Sequence, residues 1–143
     1  MRKLFLNLAL LMATGFVAAS VVPTAVAQNT PDMRVNIPFE FQVEGKTLAA
    51  GIYYVTVGTV YRRIDLVSDD GHRLMLSGTP ARERNGNIST LVFHKYGDTY
   101  FLHEVMSNRQ PFGMALPVSK AEKAMINIAG VQPVVETIAA GSR

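Results

Sequence analysis

Two histidines, His94 and His103, stand at positions from which both imidazoles could reach one site. Between them lies Gly97-Asp98, and a glycine at the first of two loop residues suits a type II′ β-hairpin. Pairing across that loop sets residue 96 opposite 99, 94 opposite 101 and 92 opposite 103. Both histidines then share one face of the hairpin, with Cβ atoms on the order of 7 Å apart. Two imidazoles at that separation could bridge to one metal ion.

A third metal ligand is not evident beside the histidine pair. In this register Glu104 points to the opposite face, and Val92, Phe101 and Val105 surround the pair. The pattern therefore favours hydrogen-bonded histidines in a half-buried strand, with no bound metal and no cofactor. A three-residue loop would exchange the two faces and remove the pair. A third histidine, His72, lies beside a turn and is a weaker candidate.

Other catalytic arrangements do not fit the spacing of the residues. Glu40 and Glu44 are separated by about 13 Å on an extended chain, whereas paired carboxylates for glycoside hydrolysis stand about 5 to 9.5 Å apart. Asp69 and Asp70 are adjacent in a turn, where they shape the backbone. The chain has no cysteine, no Gly-x-Ser-x-Gly elbow and no phosphate-binding glycine loop. The sequence predicts no catalytic residue and no enzyme; the alternative is a small metal-dependent or hydrolytic enzyme that uses the two histidines.

Aromatic side chains and one charged loop are the remaining candidate contact sites. Arg82, Glu83 and Arg84 lie on an exposed polar loop predicted over residues 78–87, where they could contact a partner, although such a loop is usually only solvated. Aromatic residues could also form a ligand platform, but in strands they mostly belong to the core. The aromatic residues concerned are Tyr53, Tyr54, Tyr61, Tyr96, Tyr100, Phe39 and Phe41.

The first 27 residues have the features of a secretory signal peptide. Arg2 and Lys3 give a positive start, residues 4–22 form an apolar run, and Ala25-Val26-Ala27 supplies the small residues that a signal peptidase recognises. We predict cleavage before Gln28, a periplasmic or secreted location, and no membrane contact afterwards. An uncleaved anchor is the alternative, although the run contains polar residues and no charged stop follows it.

The composition after the predicted cleavage is that of one small domain without disulfides. Removing the two basic residues of the signal peptide lowers the formal net charge from +3 to +1. No basic cluster of the kind that binds nucleic acid is present. The remaining chain of about 116 residues suffices for one hydrophobic core, and the packing of that core must supply the stability.

Alternating apolar and polar residues predict strands over most of the chain. A loose leader at residues 28–34 precedes a strand from Val35 to Val43, in which Pro38 favours an edge strand or a bulge. Such an edge could accept a strand from a partner or from a second copy of the chain. Further strands are predicted over residues 52–57, 62–67, 72–76, 88–96 and 99–106, with turns at Glu44-Gly45-Lys46 and Asp69-Asp70-Gly71.

One amphipathic helix is predicted over residues 119–129. Ser119-Lys120-Ala121-Glu122 has the capping-box pattern, in which the Glu122 carboxylate reaches back to the amide of Ser119. Gly130 suits the end of the helix. Residues 131–143 form either an added strand or a frayed tail. The apolar stripe of the helix consists of Ala121, Ala124, Met125 and Ile128.

These elements predict an all-β fold with one short C-terminal helix. Two arrangements are compatible with the pattern: an antiparallel β-sandwich and a partly open barrel, each of about six to eight strands. The domain would cover residues 35–130, followed by a C-terminal tail.

Four sequence motifs occur in a fixed order between residues 35 and 125. They are Ile37-Pro38-Phe39-Glu40-Phe41-x-Val43, Lys46-Thr47-Leu48-x-Ala50-Gly51-x-Tyr53, Phe93-His94-Lys95-Tyr96-Gly97-Asp98-x-Tyr100-Phe101-Leu102 and Leu116-Pro117-x-Ser119-Lys120-Ala121-Glu122. Together they resemble a family of small uncharacterised exported proteins of acidobacterial type. Ala49 departs from the family pattern, which has proline there. The resemblance implies export and a β fold with a C-terminal helix, and it implies no active residue.

The expected function is that of an exported, non-enzymatic β module with a binding or structural role in the cell envelope. Its partner would be a protein or a small-molecule ligand, and nucleic acid is not expected to bind. Oligomerisation is possible through the predicted edge strand from Val35 to Val43.

Overall fold

A computed structural model describes residues 30–58, 60–83, 85–130 and 132–141. The predicted signal peptide and the first residues of the leader lie outside these ranges, as does Arg84 of the charged loop. The described residues form eleven strands and one helix. These are β1 (Met33–Ile37), β2 (Phe41–Val43), β3 (Lys46–Leu48), β4 (Gly51–Gly58), β5 (Arg63–Ser68), β6 (Arg73–Ser77), β7 (Thr79–Glu83), β8 (Thr90–Tyr96), β9 (Thr99–Met106), β10 (Phe112–Ala115), α1 (Lys120–Ala129) and β11 (Val134–Ala139).

The strands form two sheets that share one apolar core. Sheet A has four antiparallel strands in the order β1-β4-β5-β6. Sheet B has seven strands, with the main order β11-β8-β9-β10-β7 and with β2 and β3 added beside β9. The two sheets do not close into a barrel. Of the two predicted arrangements, the structure has the all-β sandwich with a C-terminal helix.

The strand predicted from Val35 to Val43 is two strands in different sheets. β1 lies at an edge of sheet A and pairs with β4, whereas β2 pairs with β3 and, in parallel, with β9. Pro38 lies in the connection between them, where a residue without an N–H donor ends β1. The predicted edge is therefore correct for β1 and wrong for β2, because β2 has neighbours on both sides.

The sandwich extends beyond the predicted bounds of 35 and 130 at both ends. Met33 is buried in the core, and Asp32 Oδ2 accepts a hydrogen bond from the backbone N–H of Val57 at 2.8 Å. The end of the predicted leader is thus part of the fold. At the other end β11 pairs with β8 along its whole length, so the added strand, and not the frayed tail, is correct for residues 134–139.

The hairpin turns lie where glycines predict them. Glu44 and Gly45, between β2 and β3, have φ values of 48° and 80°, and a type I′ turn requires both to be positive. Gly97 has a φ of 61° at the first loop position between β8 and β9, as predicted. The turn at Asp69-Asp70-Gly71 joins β5 to β6.

Three short strands, β3, β7 and β10, have no predictive pattern in the sequence. β7 occupies part of the loop predicted over residues 78–87, and all of its residues are exposed. It is held by hydrogen bonding to β10. A strand exposed on both faces does not alternate between apolar and polar residues, which is why β7 is not predicted.

Aromatic residues occupy the centre of the core instead of forming a platform on the surface. Phe41 and Phe93 are fully buried, with ring centroids 5.5 Å apart in an edge-to-face contact. Phe39 packs against the core and stacks on Tyr100 with centroids 3.7 Å apart. Of the aromatic residues singled out, Tyr61 is the strongly exposed one, in the turn between β4 and β5.

Helix α1 begins and ends as predicted but buries a different side. Ser119 Oγ accepts from the backbone N–H of Glu122 at 3.1 Å, and Gly130 ends the helix in the left-handed conformation. The predicted apolar stripe is wrong, because Ile128 is 83% exposed. The side chain that α1 buries is the carboxylate of Glu122.

Candidate functional site

The fold brings together the histidine pair predicted from the β8–β9 hairpin. His94 lies opposite Phe101, in the predicted register. The imidazole rings of His94 and His103 stack, with centroids 3.7 Å apart and planes inclined by 19°.

A β-bulge in β9 changes the surroundings of this pair. Phe93 pairs with Leu102 and Val92 pairs with Glu104, so His103 is the extra residue of the bulge. The predicted opposition of residues 92 and 103 is therefore wrong. Because directly opposed residues share a face, Glu104 lies on the same face as Val92 and the histidines, contrary to the prediction.

Glu104 is a buried carboxylate between Arg82 and β10. Its Oε2 lies 3.3 Å from Nε of Arg82, while Oε1 is buried without a hydrogen-bond partner among the described residues. Gly113 of β10 lies directly against Oε1, and a Cβ atom there would overlap this oxygen. The charged loop candidate Arg82 thus has a structural contact in sheet B.

Helix α1 supplies a further member of the site. Glu122 Oε1 lies 2.9 Å from Nδ1 of His94 and accepts a hydrogen bond from the Tyr96 hydroxyl at 3.3 Å. The predicted capping box is therefore only half formed, since this carboxylate bonds to the sheet. Burial raises the pKa of Tyr96, and the charge of Glu122 raises it further. We call His94, Tyr96, His103 and Glu122 the His–Glu cluster.

The stacked rings do not suit a shared metal ion. An imidazole binds zinc through a nitrogen at about 2.0–2.1 Å, along a lone pair that lies in the plane of its own ring. Stacked rings with centroids 3.7 Å apart and planes inclined by only 19° offer no position that lies close to both planes at that distance from a nitrogen of each ring. Across the described ranges, no group of three His, Asp or Glu residues has a metal-binding arrangement. The absence of a metal and of a cofactor stays a prediction.

Two members of the His–Glu cluster are largely buried. The side chains of His94 and Glu122 are exposed by only 18% and 4%. A carboxylate beside a histidine can orient that histidine as a general base. Here the Glu122 carboxylate beside His94 also accepts a hydrogen bond from the Tyr96 hydroxyl. Burial lowers the pKa of His103, and His94 lowers it further, while Nδ1 of His103 is buried without a partner in the described part of the chain. The contacts of Glu122 with His94 and Tyr96 therefore connect helix α1 to sheet B.

A cleft of about 530 Å³ opens where the free edges of the two sheets meet. β1 and β11 approach each other there, and the N–H of Gly141 donates to the carbonyl oxygen of Arg34 at 3.3 Å. We call this the seam cleft. Residues from both sheets and from two loops line it, among them Met33, Arg34, Ile88, Ser89, Arg109 and Ala140.

An ion pair forms one wall of the seam cleft. Arg109 Nη1 lies 3.3 Å from Oδ1 of Asp32 and 3.5 Å from the carbonyl oxygen of Thr30. The Asp32 side chain is buried, with 8% exposed, whereas the Arg109 side chain is 54% exposed. A guanidinium has five N–H donors, and these contacts engage Nη1 alone. Asp32 therefore positions Arg109 at the cleft with donors left for a ligand.

The other candidates from the sequence lie apart from both sites. His72 Nε2 lies 3.7 Å from Oδ2 of Asp70 in an exposed turn. A hydrogen bond from the Ser68 hydroxyl lowers the pKa of Asp70, so this group serves the turn. Glu40 precedes β2 in the sequence and Glu44 follows it, and both side chains are exposed. No contact between them is found among the described residues.

Comparison of the chain with protein-family models, curated proteins and solved structures finds no match. The family resemblance of the four motifs therefore stays a prediction. In the described ranges, no helix has the length and apolar character needed to cross a membrane.

Proposed function

We propose that this chain is an exported, non-enzymatic β-sandwich module of the cell envelope that binds a ligand or partner in the seam cleft. The observation that carries the proposal is the cleft itself, whose volume of about 530 Å³ falls within the range of about 300–1,000 Å³ usual for ligand sites. His94, one of the two histidines that favour the enzyme alternative, is held by Glu122 of α1 with 18% of its side chain exposed, which supports binding over catalysis.

The lining of the seam cleft indicates the chemistry of its ligand. Ile88 and Ala140 offer apolar surface, while Arg34 and Arg109 add positive charge at the same cleft. Arg34 is exposed, and Arg109 retains unused donors. A ligand with an apolar body and an acidic group would satisfy both parts, because a guanidinium binds a carboxylate or phosphate through paired hydrogen bonds.

The experiment is an NMR titration of the isotopically labelled protein with three kinds of probe: short acidic peptides, neutral oligosaccharides and medium-chain fatty acids. We expect an acidic amphiphilic probe to shift the resonances of Arg34, Ile88 and Arg109. Arg34→Met should weaken binding about tenfold, the loss of one charge-assisted contact of about 1.4 kcal/mol. Shifts centred on the His–Glu cluster, or no binding by any probe, would contradict the proposal.

The matched control is Arg73→Met in β6. Arg73 is also an exposed arginine in an edge strand of sheet A, but β6 lies at the edge opposite β1. We expect its affinity for the probe to equal that of the unmodified chain. Equal weakening by both substitutions would mean that general positive charge, and not the seam cleft, holds the probe.

A further inference from the structure

A second cavity, of about 440 Å³, lies on the outer face of sheet A. The buried residues of β4 alternate with Thr56 and Gly58, which therefore face away from the core. Asp65 and Arg63 of β5 stand opposite these two residues in the register, and directly opposed residues share a face. These four residues form the floor of the cavity. We call it the polar trough, because each described residue that lines it is polar or glycine.

Two ion pairs line the polar trough. Arg63 Nη2 donates to Oδ2 of Asp65 at 2.8 Å, and the pair of Arg109 with Asp32, which also borders the seam cleft, lines the trough as well. In both pairs the carboxylate is largely buried, whereas the arginine side chains are 49% and 54% exposed. A guanidinium has five N–H donors, and the described contacts engage one nitrogen of each. The carboxylates therefore position two guanidiniums that keep donors for a ligand.

The charges of the polar trough balance, and this balance determines which ligand suits it. An anion gains little net attraction, because each guanidinium already has a carboxylate oxygen at 2.8 or 3.3 Å. A neutral hydroxyl oxygen can still accept from the free N–H groups, and the hydroxyl proton can be donated to a carboxylate. Oδ1 of Asp65 is buried without a hydrogen-bond partner among the described residues. A hydroxyl group entering the trough would supply the donor that this oxygen lacks.

We propose that the polar trough is a second binding site, which takes a neutral, hydroxyl-rich ligand of the size of one or two sugar rings. Its volume of about 440 Å³ falls within the range usual for ligand sites, about 300–1,000 Å³. Gly58 keeps the floor open, because it places no side chain between Thr56 and Arg63. The inference goes beyond binding in the seam cleft and does not rest on it, although the two cavities share the pair of Asp32 and Arg109.

The test is an NMR titration of the isotopically labelled protein with maltose, cellobiose and N,N′-diacetylchitobiose, and separately with sodium sulfate at matched ionic strength. We expect at least one disaccharide to shift the amide resonances of Thr56, Gly58 and Asp65, while those of Arg34 and Ile88 at the seam cleft stay in place. Sulfate should leave all of them unshifted. The proposal is overturned if no disaccharide shifts the trough residues, if the shifts centre on the seam cleft, or if sulfate binds the trough as well as the sugars do.

Gly58→Gln fills the polar trough without removing a contact of the protein, since a Cβ atom at this position would meet only the carbonyl oxygen of Arg63, at 3.6 Å. We expect this variant to lose the sugar-induced shifts. Thr56→Val keeps the shape of the side chain but removes its hydroxyl, and it should weaken binding about three- to tenfold, the loss of one neutral hydrogen bond.

The matched control is Thr47→Val, which alters an exposed threonine of β3 that lines neither the polar trough nor the seam cleft. We expect its sugar affinity to equal that of the unmodified chain. If Gly58→Gln does not fold, Thr56→Val decides alone. Unchanged sugar binding in the folded trough variants, or equal weakening by Thr47→Val, would refute the site.

Discussion

At the scale of single residues, the least predictable positions are those whose partners are far away in the sequence. Asp32 and Arg109 are separated by 77 positions, and no local pattern signals their ion pair. His103 is different, because Leu102 and Val105 both reach the core. Two inward apolar residues three positions apart in a strand are a sign of an inserted residue, and this sign could have revealed the bulge.

Gly113 provides a test of the packing around Glu104. We expect Gly113→Ala to lower the free energy of unfolding by about 1–3 kcal/mol, because the new methyl group overpacks a closed site. Adding Glu104→Ala should remove the overlap, so that the double variant loses less stability than the two single variants together. Urea denaturation measures all three.

The control for Gly113 is Gly58→Ala in β4, where a Cβ atom would meet only the carbonyl oxygen of Arg63 at an ordinary 3.6 Å. We expect a stability change below about 1 kcal/mol there. Strictly additive losses for Gly113→Ala and Glu104→Ala would show that the two residues do not interact as described.

At the scale of elements, periodicity predicts which side chains turn inward but not which sheet they join. The alternation from Val35 to Val43 continues across two strands because both sheets face the same core, and the pattern is identical for one strand or for two. β7 escapes prediction for the opposite reason, since both of its faces are exposed. The ends of α1 are predicted well because capping contacts are local in the sequence. The buried side of α1 depends instead on which side chains of sheet B lie against it.

Helix α1 therefore responds to substitution in an unusual way. We expect Glu122→Ala to cost about 1–3 kcal/mol of unfolding free energy, because it leaves the His94 ring nitrogen and the Tyr96 hydroxyl without their acceptor. Ile128→Ala, on the exposed side, should change stability by no more than about 0.5 kcal/mol. Chemical denaturation measures the unfolding free energy of both variants. A larger loss of stability for Ile128→Ala than for Glu122→Ala would mean that the predicted apolar stripe is the side of α1 that packs on the sheet.

At the scale of the whole molecule, the composition and the alternation of apolar and polar residues are enough to predict an all-β domain that is stabilised without disulfides. They do not predict the seam cleft, because a cleft between sheet edges depends on how two sheets meet and not on either strand alone. The His–Glu cluster was predicted in part: the hairpin register places His94 and His103 together, but the helix that covers them carries its carboxylate from a separate segment.

The export proposal makes a prediction about the mature chain. We expect N-terminal sequencing of the protein from its producing cells, after separation of periplasm, medium and membranes, to begin at Gln28. The physical reason is that a signal peptidase recognises small side chains such as Ala25 and Ala27 in an accessible extended segment. A product that retains Met1 and fractionates with membranes would favour the anchor alternative.

The parallel pairing of β2 with β9 sets the order in which the chain can fold. Phe41 lies beside Tyr100, about 60 residues later in the chain, and contacts between such distant residues form slowly. A growing or translocating chain that has released only the residues up to the end of β6 contains all the strands of sheet A, but its β2–β3 hairpin has no β9 to dock on. Completion of the sandwich is therefore postponed until the second half of the polypeptide has emerged.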